Sequence, residues 1–482
     1  MLILKEVKVV YFDTLLQVLI LKGVTVFRFG PPFLEAFILN STAILAQVWD
    51  GARKLKSEMK RLFGSILRLG TGEAISRLAS FGLYAYISRA FGVELLGIVA
   101  LSQTIATYVT FGTDQGLRMI GARLVARDAS AAPAIMRHVL RKRLISCAIC
   151  VALASAYALW GPVPENARFY VLGFALGVFP YAFSLDWLAW GLDHFGWLGA
   201  WRGGVGLLFV LGAVAAIRVS GTTLLPISIA NAASAVLGAV LLWTLWHFRW
   251  QSPHSESQDH ESEIADQLRW GAVLPLGMAT ILNLMFNNFD TVMLGAMTST
   301  KEVGRYNAAY KILFVIFGAY YLLMQSLYPR LSRADGGRQA RQLVIYGLVA
   351  LAVLGGCIAF LVATWAGPIL HIIYGADLNA IYLVRLLSFA IPLDFCAALL
   401  GTVLVSRGFD KTVLWGAGTA AICNVLMNLW LIPRFSATGA AWATVISYGI
   451  LLFVLGTSCL VQPIFLEQAS RSGAADTVTT PA

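Results

Sequence analysis

Charge is what this chain has least of. Asp, Glu, Lys and Arg make up 13% of its 482 residues, while 58% are hydrophobic. Water-soluble domains carry about 25% charged and 45–50% apolar residues, so a compact cytosolic enzyme is excluded. Acid is scarcer than base, 25 residues against 36, which leaves a net charge of +11. There is no G-x-x-x-x-G-K-[ST] phosphate loop, and hence no built-in ATPase. The six histidines are scattered without metal-ligand spacing. The six cysteines all lie inside apolar runs, where they serve as small fillers rather than staples. No cofactor is called for. The longest polar link, RWQSPHSESQDHESEIADQLRW at 249–270, is too short for a catalytic domain.

Apolar length is what the chain has instead. One bilayer crossing takes about 20 apolar residues, and runs of that kind fall near 66–88, 96–117, 144–161, 169–190, 203–218 and 224–247. A second set falls near 271–296, 303–327, 343–366, 381–405, 412–432 and 437–461. The expected fold is all-α, a polytopic membrane protein of about 12 transmembrane helices in two six-helix lobes. Residues 59–248 form the first lobe, 249–270 a cytoplasmic linker, 271–461 the second lobe and 462–482 a cytoplasmic tail.

Basic residues in short links set orientation. Between spans two and three stand Arg118, Arg123, Arg127, Arg137, Arg141, Lys142 and Arg143 against the single Asp128, and after span eight stand Arg330, Arg333, Arg338 and Arg341. Both links belong in the cytoplasm, as do both termini. Charge placed beside apolar helices suits anionic lipid headgroups rather than nucleic acid. Trp243, Trp246 and Trp250 mark an inner interfacial belt, and Trp160, Trp365 and Trp430 an outer one.

Residues 1–58 do not fit this scheme. VKVVYFDTLLQVLILKGVTVF is interrupted by Lys8, Asp13 and Lys22 and lacks the layout of a signal peptide. MKRLFGSILRLG, starting at Met59, has the short basic start of a cytoplasmic N-terminus, so 1–58 reads as an upstream extension outside the fold.

Slid against itself by 207 positions, the chain places Gly97 on Gly304, Arg123 on Arg330, Leu124 on Leu331 and Asp128 on Asp335. The polar stripe Glu73, Ser76, Ser80 falls on Thr280, Asn283, Asn287 with the spacing of one helical face. Six spans separate the copies, so the repeat is parallel, and the path for a substrate runs between the lobes.

Ionisable residues at membrane depth are costly, about 2.5–3.5 kcal/mol each on insertion scales, and face protein or water. Span one carries Glu73 and Arg77 at i, i+4, followed by Tyr84. Span seven carries Asn283, Asn287 and Asp290, and span eight Asn307 and Lys311. Span ten carries Arg385 and Asp394 around Pro392, which should kink it. Asp114 and Asp186 lie towards inner ends, and Asn424 and Asn428 share a face suited to interhelical bonding. Glu73 and Arg77 can neutralise each other within their helix. Three cations on three spans of both lobes, Arg77, Lys311 and Arg385, suggest a cavity for an anionic group. Glu73, Asn283, Asn287, Asp290 and Asn307 would line it or couple an ion, with Glu73 the better proton site. Asp186 and Asp290 are open to several roles: counter-charge, helix-end residue or ion ligand.

LRLGTGEAISRLASFGLYAYISRAFGVELLGIVALSQTI at 67–105, NNFDTVMLGAMTSTKEVGRYNAAYKI at 287–312 and SLDWLAWGLDHFG at 184–196 resemble the polysaccharide or O-antigen flippases (Wzx-like translocases) of the multidrug/oligosaccharidyl-lipid/polysaccharide exporter superfamily. The resemblance covers about residues 59–461. It implies alternating access by two lobes of a bacterial cytoplasmic membrane protein that is not an enzyme. The cargo it implies is an undecaprenyl-pyrophosphate-linked oligosaccharide, handled by glycosyltransferases and a polysaccharide polymerase on either side. Arg77, Lys311 and Arg385 would then hold the anionic head, and Tyr84, Tyr310 and Tyr320 would contact sugars. A cation-coupled drug antiporter of the same superfamily would line its cavity with acids. A membrane glycan polymerase or ligase would need a large outer loop.

Overall fold

The computed structural model describes residues 31–220, 225–250, 264–333, 338–375 and 378–461, with side chains described from residue 70 onward apart from a few such as Asn283. The chain divides into two compact units, Met1–Ile66 and Leu67–Ala482; helix α1 starts in the first, and every side-chain contact described below lies in the second. Of the expected segments, residues 1–30, the centre of the linker at 251–263 and the tail at 462–482 lie outside the described residues.

Helix α1 spans Pro31–Asp114 and reverses at Gly92 (φ 85°, ψ −177°), a backbone conformation that costs glycine little. Its two arms run antiparallel, since the Tyr84 hydroxyl donates to Gln103 Oε1 at 2.6 Å. There follow α2 (Leu117–Arg127), α3 (Ala132–Trp160) and α4 (Glu165–Leu176). Pro133 sits in the first turn of α3, where a missing N–H does no harm. A 3₁₀ turn at Phe179–Phe183 leads to α5 (Asp186–Gly191), then α6 (Phe195–Ser220) and α7 (Leu225–Leu245), which ends in a π turn at Trp246–Trp250.

The second lobe begins with α8 (Trp270–Met297) and α9 (Thr300–Arg333), then α10 (Arg338–Thr364) and the short α11 (Ala366–Tyr374), which stops at Gly375 in the left-handed conformation (φ 78°). Next come α12 (Ile381–Ser388) and α13 (Ala390–Ser406). Last is α14 (Asp410–Val461), which breaks at Ser436 (φ 49°). It is a hairpin: Gly416 packs on Leu455, and Gly439 lies against the Leu431 backbone.

The all-helical expectation holds, and seven described helices are long and apolar enough to cross a membrane. Two of these seven contain the reversals at Gly92 and Ser436. Departures from the expected spans have local causes. Span four is not one helix, because Pro180 lies in the 3₁₀ turn that divides α4 from α5. The span-ten kink falls at Phe389, between α12 and α13 of one continuous span, which puts Pro392 into the first turn of α13, and Gly355 of α10 leaves room for the proline ring. Helix α11 was hidden inside an apolar run. Trp160, Trp365 and Trp430 are exposed as a belt requires, whereas Trp246 and Trp250 are buried in a second core with Trp187, Leu242 and Leu268. Apolar packing there outweighs interfacial anchoring. Two of the basic residues counted for topology are also consumed structurally: Arg143 is fully buried and Arg118 one-quarter exposed.

Helices α1 and α9 meet at a reciprocal contact. A side chain on Gly97 would collide with the Thr300 carbonyl, and one on Gly304 with the Val93 carbonyl. Adding the repeat offset turns Gly97 into Gly304 and Val93 into Thr300, so each glycine meets the counterpart of the other's neighbour. This is the i-to-j, j-to-i pairing of a two-fold axis, here relating parallel halves. Around the crossing, Asn166 donates to Glu94 at 2.8 Å and to Thr300 at 3.1 Å. Arg89 donates to the Ile373 carbonyl at 3.0 Å and also to that of Ile372, at the end of α11.

Candidate functional site

Helices α1 and α9, one from each lobe, bring two of the expected cations together. Lys311 sits with its ammonium 4.7 Å from the Tyr84 ring centre and 5.4 Å from that of Phe314. Arg77 lies 5.1 Å from the same Phe314 ring. Gly318, one turn beyond Phe314, gives the Arg77 guanidinium space. Aromatic faces attract cations without neutralising them. Among the described residues Lys311 forms no ion pair, so its charge stays available.

Arg77 also donates to Glu73 at 2.9 Å, as the i, i+4 spacing allows. The other Glu73 oxygen accepts from Arg202 of α6 at 3.1 Å. Two guanidinium groups thus hold one carboxylate, and Lys311 meets Arg77 across the Phe314 ring. Glu73 is 39% exposed and Arg77 45%, so the cluster is open to a ligand rather than sealed. Glu73, expected as the better proton site, is held here by two guanidinium groups.

The other expected residues divide. Arg385 is exposed on α12 and donates to the Ala363 carbonyl of α10 at 3.2 Å, with no contact to Arg77 or Lys311. The expected trio is therefore a pair. Tyr84 is buried beneath Lys311. Tyr310 stacks on Tyr306 with centroids 5.7 Å apart, and Tyr320 stacks on Phe395 at 4.1 Å while donating to the Phe395 carbonyl. Both rings are buried and pack the lobe, so neither offers a face to a sugar here. Asn287 is half-buried on α8, and the Asn283 side chain lies outside the described residues.

Asp290 occupies a different setting, 2% exposed. It accepts from Tyr306 at 2.6 Å, Thr444 at 2.8 Å and Asn428 at 2.6 Å. Asn428 also donates to Asn424 at 2.9 Å, while its own Oδ1 is buried without a partner. Among the described residues no cation pairs with Asp290. Asn307, beside Tyr306, bonds Thr291, the neighbour of Asp290, and the Val303 carbonyl.

The chain matches the family model described as "Polysaccharide biosynthesis protein" over residues 63–335, more than half its length. It belongs to that family. The MatE family model matches residues 275–430 as well. In this family member the similar curated proteins include one named "Putative O-antigen transporter" from Escherichia coli (strain K12), 20% identical, covering 83% of this chain and 95% of that protein. A protein of the same name from Shigella dysenteriae is 22% identical over 80% of this chain and 95% of its own length. Among solved structures, "Lipid II flippase MurJ, inward closed conformation" superposes with a TM-score of 0.64 at 13% identity, covering 82% of this chain and 87% of that one. The family member is thus a multi-pass membrane protein with a fold like that of the lipid II flippase.

Sequence reasoning missed three participants. Arg202 falls just before the apolar run at 203–218, but α6 begins at Phe195, two turns earlier; the Gly203–Gly204 pair disguised a helix interior. Tyr306 and Thr444 became visible only once α9 and α14 were packed against α8. The unpaired Asp290 on an apolar helix was the signal that such donors had to exist.

Proposed function

We propose that this protein flips an undecaprenyl-pyrophosphate-linked oligosaccharide across the bacterial cytoplasmic membrane, with both termini in the cytoplasm. The observation that carries this reading is the sharing of one Phe314 ring by Arg77 of the first lobe and Lys311 of the second. A pyrophosphate can bridge the two cations and so draw the lobes together around it. Arg202 can exchange Glu73 for a phosphate oxygen, while the lipid tail stays in the bilayer. The Gly97–Gly304 crossing is then one of the two seals that alternating access must open and close. Asp290 with Asn428, Asn424 and Thr444 supplies a carboxylate and neutral oxygens for a coupling cation, proton or sodium, which reassigns that role from Glu73. Glycosyltransferases supply the cargo and a polymerase or ligase consumes it; this chain transports and does not catalyse.

The test is Arg77→Ala and Lys311→Ala in a strain depending on this protein. Surface polysaccharide should be lost from both while the variants reach the membrane at normal level. A drug antiporter would instead show altered drug sensitivity with polysaccharide intact.

A further inference from the structure

The short helix α11 belongs to the second lobe, yet its last turn is fastened to both. One face is buried, Ala366, Leu370 and Tyr374 at i, i+4 and i+8, while Ile372 on the other is 71% exposed. From the first lobe, Arg89 donates to the Ile373 carbonyl at 3.0 Å and to that of Ile372. Carbonyls at a helix C-terminus lack partners within the helix, and a cation is favoured there. Gly375 leaves room for the arginine stem, which a side chain at that position would meet at 3.2 Å.

Tyr374 ties the same turn to the helices of the cationic cluster. Its hydroxyl donates to the Ala308 carbonyl of α9 at 3.0 Å, and its ring meets Phe81 of α1 edge-on with centroids 6.5 Å apart. Phe81 and Ala308 stand three positions, about one turn, from Tyr84 and Lys311. Tyr374 is therefore a wedge between the two helices that carry Arg77 and Lys311. Beyond it the backbone is strained: Leu378 and Asn379 both take left-handed conformations (φ 54° and 52°), which side chains disfavour. Arg305 of α9, itself paired with Glu302, holds the Asn379 carbonyl at 3.2 and 2.6 Å. One arginine from each lobe thus holds this segment by backbone carbonyls. Arg89 is exposed, so letting go strands no buried charge.

We propose that α11 is a lid over the outer end of the cationic cluster, with Arg89 as its latch. Cargo leaves outward when Arg89 releases the helix end and Tyr374 withdraws from between α1 and α9. The exit role rests on the cargo reading above, whereas the lid is testable without cargo.

The test uses the full chain in intact cells and a membrane-impermeant sulfonated succinimidyl ester, which acylates lysine, with labelled peptides counted by mass spectrometry. Exposed Lys301, in an outer link, reports access from outside, and exposed Lys411, in an inner link, should stay unlabelled. Relative to Lys301, Lys311 should be nearly unlabelled in the wild type and at least about fivefold more labelled in Arg89→Gln, where the helix end opens locally. Tyr374→Phe, which loses only the bond to Ala308, should raise the label about twofold. Ile372→Ser, on the exposed face of the same helix, should match the wild type. Lys311 labelled as readily as Lys301 in the wild type, or no rise in either Arg89→Gln or Tyr374→Phe, would overturn the lid. A rise in Ile372→Ser equal to that in Arg89→Gln would overturn the latch, and label on Lys411 in place of Lys301 would overturn outward exit. If Lys311 labelling follows the lid while Lys311→Gln still exports normal polysaccharide, the lid stands and the cargo reading falls.

Discussion

Arg143 and Lys311 are both cations within the helical bundle, and the protein holds them in opposite ways. Arg143 is fully buried on α3 and saturated: it pairs with Asp114, approaches Asp186 at 3.6 Å and donates to the Ser184 carbonyl. Asp186 in turn takes Arg118 at 3.2 Å. Two arginines meet two aspartates, and the sum is neutral. Lys311 has aromatic faces in place of acids, and its neighbour Arg77 shares Glu73 with Arg202. Matched, buried charge pins α2, α3 and α5 together. Lys311, half-buried, has no acid partner among the described residues. Membrane depth alone does not separate a structural ion from a binding one; the local sum of charges and its exposure do.

Substitutions can break that contrast. Arg143→Ala leaves two buried carboxylates short of a partner and should cost about 3–5 kcal/mol, read as a loss of folded protein in the membrane and a lower melting temperature. Lys311→Ala should leave the melting temperature nearly unchanged. If the two variants melted alike, the distinction between matched and unmatched charge would be lost. Gly304→Val places a branched side chain against the Val93 carbonyl. It should cost about 1–3 kcal/mol and block closure of the crossing, seen as lost polysaccharide with the protein present. Gly97→Val should behave alike, because the contact is reciprocal.

Asp290 sharpens the comparison from the acidic side. Asp290→Asn keeps shape and an acceptor for Tyr306 and Thr444 but removes the charge. The expected cost in stability is at most about 1.5 kcal/mol, while transport in proteoliposomes should stop responding to an imposed proton or sodium gradient. The smallest effect belongs to Arg385→Ala. Its exposed side chain reaches only a backbone carbonyl, so stability should move by no more than about 0.5 kcal/mol and polysaccharide output should be unchanged.

Much of this was legible before any packing was known. Apolar periodicity located the helices, Pro392 marked a kink, and the offset repeat named Gly97 and Gly304, whose contact proved reciprocal. Arg77 and Lys311 were readable because an uncompensated cation in an apolar run demands a reason. What stayed hidden depends on which helices meet. Arg143 was read as a topological marker, since its partners lie 29 and 43 positions away on other helices. Glu73 was read as a proton site because Arg202, its second partner, comes from α6. Tyr310 and Tyr320 were read as sugar contacts because a tyrosine in a membrane helix carries no sign of whether its ring is covered.

The most direct measurement compares Lys311→Arg with Lys311→Gln for surface polysaccharide at equal membrane level. If an unpaired cation at this position holds an anionic cargo, arginine should retain output and glutamine should lose at least about tenfold. Equal output from the two variants would contradict that role.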